Sequence, residues 1–301
     1  MGRAGVFFSK QVSESYGTQA ALSQRFEQFV GWAKENGISR LEQVEKGDVL
    51  AYADSLKNGE LSASTQQNYL SAVNVIMETA RGDQEVRVTG READLESRSN
   101  VSTEYKGNVE RGELSERTQM IVDLARNFGL RFEEASKFDA RSAYAEAQEK
   151  GTVTIEFGTK GGQSREVPIT SEEQMKTLQN AMDFQGRDRS MIDSEKSYAE
   201  HQRESYRETS NFHAERHAYA NERYSELMKE KLNIVIKSPV LSDKPEGQSW
   251  ANYVAEKANE QGVGITPEMA REFDREARLE LSEELGHHRE DVVSAYIGGQ
   301  R

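Results

Sequence analysis

The stretch FHAERHAYA, residues 212–220, sets His213 and His217 four apart with Arg216 between them. The chain holds five histidines in 301 residues, so a close pair calls for a reason. Spacing of i and i+4 puts both rings on one helix face, from which they could ligate zinc as the histidines of an HExxH helix do. Glu215, however, follows the first histidine by two positions rather than one, which turns it away from that face. A third ligand would have to be His287, His288 or a distant carboxylate. Two other readings stand beside zinc. One is an ordinary helix with a surface histidine and a packed one. The other is His213 with Arg216, one turn apart, both aimed at a phosphate.

Composition narrows the setting for that chemistry. The absence of cysteine excludes disulfides and thiolate metal sites. No apolar run approaches membrane-spanning length, and MGRAGVFFSK lacks the apolar core of a secretory signal, so a cytosolic protein is expected. With 35% hydrophobic and 30% charged residues, much of the chain must be solvated helix surface around modest cores. A net charge of -13 argues at first against a polyanionic partner. Net charge governs long-range steering, though, and basic residues gathered in one cleft between domains would still bind phosphates.

The elements that must carry the histidines can be read from periodicity. QAALSQRFEQFVGWAKENG places Leu22, Phe26, Phe29, Val30 and Ala33 on one helical stripe. GDVLAYADSLKNG predicts a second helix with Asp48 as N-cap, and SASTQQNYLSAVNVIMETARG a third with Ser64 and Gln67 at capping-box spacing. These make a small helical domain over residues 1–84. Residues 85–115 lose the apolar period and read as a linker, and 116–301 form a second domain. There ERTQMIVDLARNFG is helical, and TVTIEF and REVPI flank GTKGGQS as a β-hairpin. TSEEQMKTLQNAM is a capped helix, Ser194–Leu232 is polar and helical, NIVIKSPV is a short strand, 241–266 is loop, and Thr266 with Pro267 opens a last long helix. The fold class is mainly α with a small antiparallel β element.

Taken one at a time, the other candidate groups have plain readings. Arg131 at a helix end is a solvated charge, Lys160 beside glycines a turn lysine, His287 a capping residue, and Tyr296 near Val292 and Val293 core. In chain order, however, GLRFEE, TKGGQSREVPI, HAERHAYA and LGHHREDVVSAY together resemble the active-site boxes of the tyrosine recombinase (phage integrase) family, of the integrative-element type. The family pattern is GLRxxE, a hairpin lysine followed by R-x-V-P, HxxRH, and LGH with tyrosine nine residues on. Every position is filled: Arg131 with Glu134, Lys160 with Arg165 to Pro168, His213 with Arg216 and His217, and His287 with Tyr296. The resemblance covers most of 116–301 and extends more loosely to the N-terminal helices, which are similar to the family's DNA-clamping core-binding domain. The segment SRSNVST is similar to a variant found in integrases of integrative elements.

The resemblance implies a two-domain, DNA breaking-rejoining enzyme that needs no metal, ATP or other cofactor. Arg131 and Arg216 would hold the nonbridging oxygens, with His213 and His287 adding hydrogen bonds or proton transfer. Tyr296 would attack phosphorus to give a 3′-phosphotyrosine, Lys160 would protonate the leaving 5′ oxygen, and Glu134 would orient the site from behind. His217 would pack beneath the site, while Glu133 and His288 carry no assignment. The implied partner is double-stranded DNA, bound as a homo-tetramer by a protein that is monomer or dimer in solution, with no membrane involved. A mobile-element integrase is the expected role. The alternatives are a topoisomerase IB-like relaxing enzyme, a catalytically silent DNA-binding or assembly protein of the same fold, and a zinc hydrolase on His213 and His217.

Two departures from the pattern stand out. An insertion of about 228–267 separates HxxR from LGH, offering a lid, a DNA contact or a protein interface. The region 185–211 is also extended; its Arg187, Arg189, Arg203 and Arg207 read as a solvated face rather than as phosphate contacts. After Tyr296, IGGQR is too short for the C-terminal helix that many members dock into a neighbour, so assembly is expected to use another element or to couple more weakly.

Overall fold

The computed structural model describes residues 1–108 and 112–300; residues 109–111 of the expected linker and Arg301 of IGGQR lie outside the described residues. The chain forms two compact units, Met1–Ser99 and Asn100–Arg301.

In the first unit α1 (Ala4–Val12), α2 (Tyr16–Glu35), α3 (Lys46–Lys57) and α4 (Ala63–Arg81) enclose a core that includes Phe26, Phe29, Tyr52, Val73 and Ile76. Two expected caps move by a few residues. The N-cap of α3 is Glu45, whose backbone N–H donates to Asp48 (2.8 Å), so Asp48 sits inside the first turn. The N-cap of α4 is Ser62, not Ser64, and its hydroxyl accepts from the Thr65 N–H. Both stretches offer more than one capping side chain within a turn, and the one in extended backbone takes the role. Val86, Val88, Ala93 and Leu95 pack into the same core, with the Asn74 amide bonding both backbone groups of Val88.

The second unit contains α5 (Glu116–Phe128), α6 (Phe132–Ser136), α7 (Ala140–Lys150), β1 (Thr152–Ile155), β2 (Arg165–Pro168), α8 (Glu172–Gln185), α9 (Tyr198–Glu208), α10 (Phe212–Leu232), α11 (Trp250–Glu260), α12 (Pro267–Glu284) and α13 (Glu290–Ile297). β1 and β2 pair antiparallel from Thr152↔Pro168 to Ile155↔Arg165. The architecture is therefore mainly helical with one small antiparallel sheet, as periodicity predicts.

Two expectations in this unit fail. NIVIKSPV is not a strand. Ile234 and Ile236 are buried and Val235 exposed, so the alternation is real, but the described sheet has only two strands and offers this segment no partner. Residues 241–266 are not all loop either, since α11 fills 250–260 and buries Trp250, Val254 and Ala258. Its N-cap is Ser249, whose hydroxyl accepts from the Asn252 N–H. Trp250, Val254 and Ala258 recur at helical spacing on one face of WANYVAEKANE, and burial of that face stabilises so short a helix.

Candidate active site

Gly129 ends α5 in left-handed backbone (φ 61°), and a Cβ there would run into the ring of Tyr219. Only glycine fits this turn, which buries Leu130 and delivers Arg131 to the N-cap of α6. The matching turn at the other end of the site is Gly286 (φ 70°), where a Cβ would press on the Arg165 side chain at 3.0 Å. It follows α12 and aims His287 back at Arg131.

Glu134, fully buried, organises the arginines. It accepts from the Arg131 backbone N–H (2.8 Å) and from Arg131 Nη1 (2.6 Å). Arg165 donates to both its oxygens, at 2.9 and 2.7 Å, and sends Nε to the Glu284 carbonyl (2.7 Å). Burial acts to raise the Glu134 pKa, but the Arg165 hydrogen bonds and charge outweigh it and hold the carboxyl down at about 2. The group is therefore an anion at neutral pH. Glu134→Gln removes the one carboxylate that answers Arg165 among the described residues, and breaking a buried pair in this way costs about 3–5 kcal/mol. Urea or thermal unfolding of the variant checks this; a loss under about 1 kcal/mol would contradict the pairing.

Arg216, on α10, is fully buried. Nη1 donates to the Gly129 carbonyl, Nη2 to the Leu285 carbonyl (2.5 Å), and Nε to the Tyr296 hydroxyl (3.1 Å). Burial is the main force lowering its pKa, to about 10, which leaves the guanidinium charged at neutral pH. His287 Nε2 lies 3.4 Å from Arg131 Nη2, 3.3 Å from Arg216 Nη2 and 3.4 Å from the Tyr296 hydroxyl. Two cationic donors facing one ring nitrogen require that nitrogen to be the acceptor, so the imidazole is neutral with its proton on Nδ1. Its pKa falls to about 4 for the same reasons, burial first and then Arg216 and Arg131.

The structure thus gathers Arg131, Glu134, Arg216, His287 and Tyr296 into one hydrogen-bonded cluster. His213 stands exposed at its margin, its ring 5.7 Å from that of Tyr296. Lys160 lies outside the cluster, exposed on the hairpin turn and without an ion-pair partner among the described residues. His217 is buried below, its ring 4.9 Å from Tyr296 and 5.0 Å from His213, with Nδ1 unpartnered. No set of three histidine, aspartate or glutamate side chains able to hold a metal occurs among the described residues. Arg165 has a part that reading the motifs did not give it. The signal was present: strand alternation puts it on the face of buried Val167, and an inward-facing arginine needs a buried carboxylate.

The family model for an integrase matches residues 67–222, more than half of the chain, and that for a phage integrase N-terminal SAM-like domain matches residues 7–81. The chain is a tyrosine recombinase of the phage integrase family. As a family member it is a site-specific, DNA-binding recombinase. The catalytic-domain match takes in Arg131, Glu134, Lys160, Arg165, His213 and Arg216 and stops short of His287 and Tyr296. Among solved structures the recombinase is similar to the integrase from mycobacterium phage Brujita, at 18% identity over 99% of this chain and 96% of that one, with a TM-score of 0.29. Among proteins with curated descriptions none is significantly similar. No helix among the described residues is long and apolar enough to cross a membrane.

Buried His217 and half-buried His287 make the recombinase acid-sensitive in a defined window. His287 and His217 both fall from the ordinary 6.5 to about 4, each chiefly by burial. Between those values the unfolded chain binds more protons than the folded one, so stability is complete above about 6.5 and drains away as pH falls toward 4. Melting temperature should drop across this interval, and His287→Gln should flatten the slope. A slope unchanged in that variant would contradict the neutral imidazole.

Proposed function

We propose that the recombinase cleaves and rejoins double-stranded DNA through a 3′-phosphotyrosine on Tyr296, as a mobile-element integrase. The observation that carries this reading is the Tyr296 hydroxyl held 3.1 Å from Arg216 Nε, in a cluster with His287 and Arg131. A scissile phosphate seated on the two guanidinium groups would have its nonbridging charge held by fixed donors, which is the largest demand of a phosphoryl transfer. The two arginines supply positive charge where other nucleases use a divalent ion, so the reaction proposed here takes no metal and no nucleotide cofactor.

In the proposed step the Tyr296 oxygen bonds to phosphorus while the bond from phosphorus to the 5′ oxygen breaks. The hydroxyl proton passes to neutral His287 Nε2, the ring nitrogen 3.4 Å away. Lys160 protonates the departing 5′ oxygen, the hairpin turn carrying it to the DNA, and His213 adds a hydrogen bond at the open side of the site. Rejoining runs the same steps backward with a 5′ hydroxyl of another strand. The proposed assembly is a homo-tetramer on DNA, working in the cytosol. The test is a nicked suicide duplex carrying the DNA that flanks the recombinase's own gene, on which strand release traps the covalent adduct. An adduct that depends on Tyr296 supports the reading, and one that survives Tyr296→Phe refutes it.

A further inference from the structure

The tyrosine assigned above sits in the last turn of α13, a helix of eight residues, Glu290–Ile297. So short a helix has no stability of its own and must be fixed by what surrounds it. On the side away from Arg216, one buried arginine does this. Arg278 of α12 sends Nη1 to the Ser294 hydroxyl (3.2 Å) and to the Gly298 carbonyl (3.1 Å), two residues before and two after Tyr296.

Arg278 is held in turn by Asp274, whose oxygens lie 3.0 and 2.9 Å from its Nε. Asp274, also buried, accepts from the Tyr224 hydroxyl (2.5 Å), Trp250 Nε1 (3.0 Å) and Gln300 Nε2 (2.7 Å). The Trp250 backbone N–H then donates to the Gln300 carbonyl (3.0 Å). Trp250 is the first residue of α11, so the chain between HxxR and LGH reaches the tail beyond Tyr296 and closes a ring of hydrogen bonds around it.

We propose that Asp274, Arg278 and Trp250 form a clasp that positions Tyr296, and that α11 serves to hold the segment Gly298–Gln300 against its own subunit. The proposal rests on Tyr296 as nucleophile. None of the three touches the reacting atoms; they act through the helix that carries the tyrosine. A clasp of this kind fixes the distance from hydroxyl to phosphorus, so its loss lowers the rate of the bound complex and leaves DNA affinity alone.

The test is single-turnover adduct formation by the full chain at saturating suicide duplex, beside DNA affinity and melting temperature. Ser294→Ala and Gln300→Ala should each slow cleavage about threefold to tenfold, the worth of one hydrogen bond, with affinity unchanged. Ser294→Thr restores the hydroxyl and should restore the rate, since Ser294 borders an open cavity with room for the added methyl. Arg278→Lys keeps the charge but loses the fork, and should slow cleavage more than tenfold; if it fails to fold, the Ser294 and Gln300 variants decide. Unchanged rates in Ser294→Ala and Gln300→Ala overturn the clasp, as does a fall in affinity or melting temperature that accounts for the loss. Failure of the nucleophile itself is separate, because then Tyr296→Phe still forms the adduct.

Discussion

Tyr296→Phe should leave no covalent protein–DNA adduct while DNA binding persists. The substitution removes one oxygen, and that oxygen is the atom that would become bonded to phosphorus. Among the described residues the rings of His213, His217 and His287 pack against the tyrosine, and a histidine attack would give an acid-labile phosphoramidate that is distinguishable from a stable phosphotyrosine. The variant should also be slightly less stable. The hydroxyl accepts from Arg216 Nε inside the protein, and a buried donor left without an acceptor costs about 1–3 kcal/mol. Gel-resolved adduct formation, with urea unfolding in parallel, separates the two effects. A Phe variant that keeps forming adduct at the wild-type rate would remove Tyr296 from the mechanism whatever its stability.

Arg216→Ala carries the second large expectation, and it strikes chemistry and fold together. Loss of one donor to transition-state charge in a site of this kind typically lowers the rate about a hundredfold or more. Arg216 also ties the Gly129 and Leu285 carbonyls, so it fastens the turn before Arg131 to the turn before His287. Its removal leaves both carbonyls unanswered and takes the donor from the tyrosine hydroxyl around a cavity, a combination that falls among the most destabilising single changes, about 3–5 kcal/mol. Arg216→Lys tests the geometry separately: one ammonium cannot reach two carbonyls and a phenol at once. Single-turnover cleavage under conditions where circular dichroism shows the variant folded is the deciding measurement. A lysine variant with near wild-type cleavage would mean that charge alone suffices and the fork is incidental.

Much of this was legible before any coordinates. Long amphipathic runs such as 19–37 and 116–129 announce their helices because burial of one face imposes a 3.6-residue period that few other structures produce. The hairpin was equally open, with the β-branched run TVTI and the segment REVPI on either side of a glycine turn. What escaped were elements whose order comes from contacts distant in sequence. WANYVAEKANE becomes α11 with Trp250 donating to Asp274 and Tyr224, and α1 and α7 are likewise short helices, of 9 and 11 residues, that depend on tertiary packing. NIVIKSPV misled for the opposite reason, having the alternation of a strand and no strand to pair with.

The same division runs through the site. Sequence alone determined which residue types lie at which spacing: two arginines, two histidines, a lysine on a turn, a tyrosine nine residues past LGH, and a chain order belonging to one family. It could not determine that Arg165 neutralises Glu134 from behind, that His287 is neutral with its acceptor nitrogen toward the tyrosine, or that Lys160 stands apart from the cluster. Those outcomes depend on burial and on angles between side chains far apart in the chain. Desolvation sets the charge state of His287, and the Gly129 and Gly286 turns set which groups meet. The identity of the reacting groups is local information, whereas their protonation and aim are properties of the packed whole.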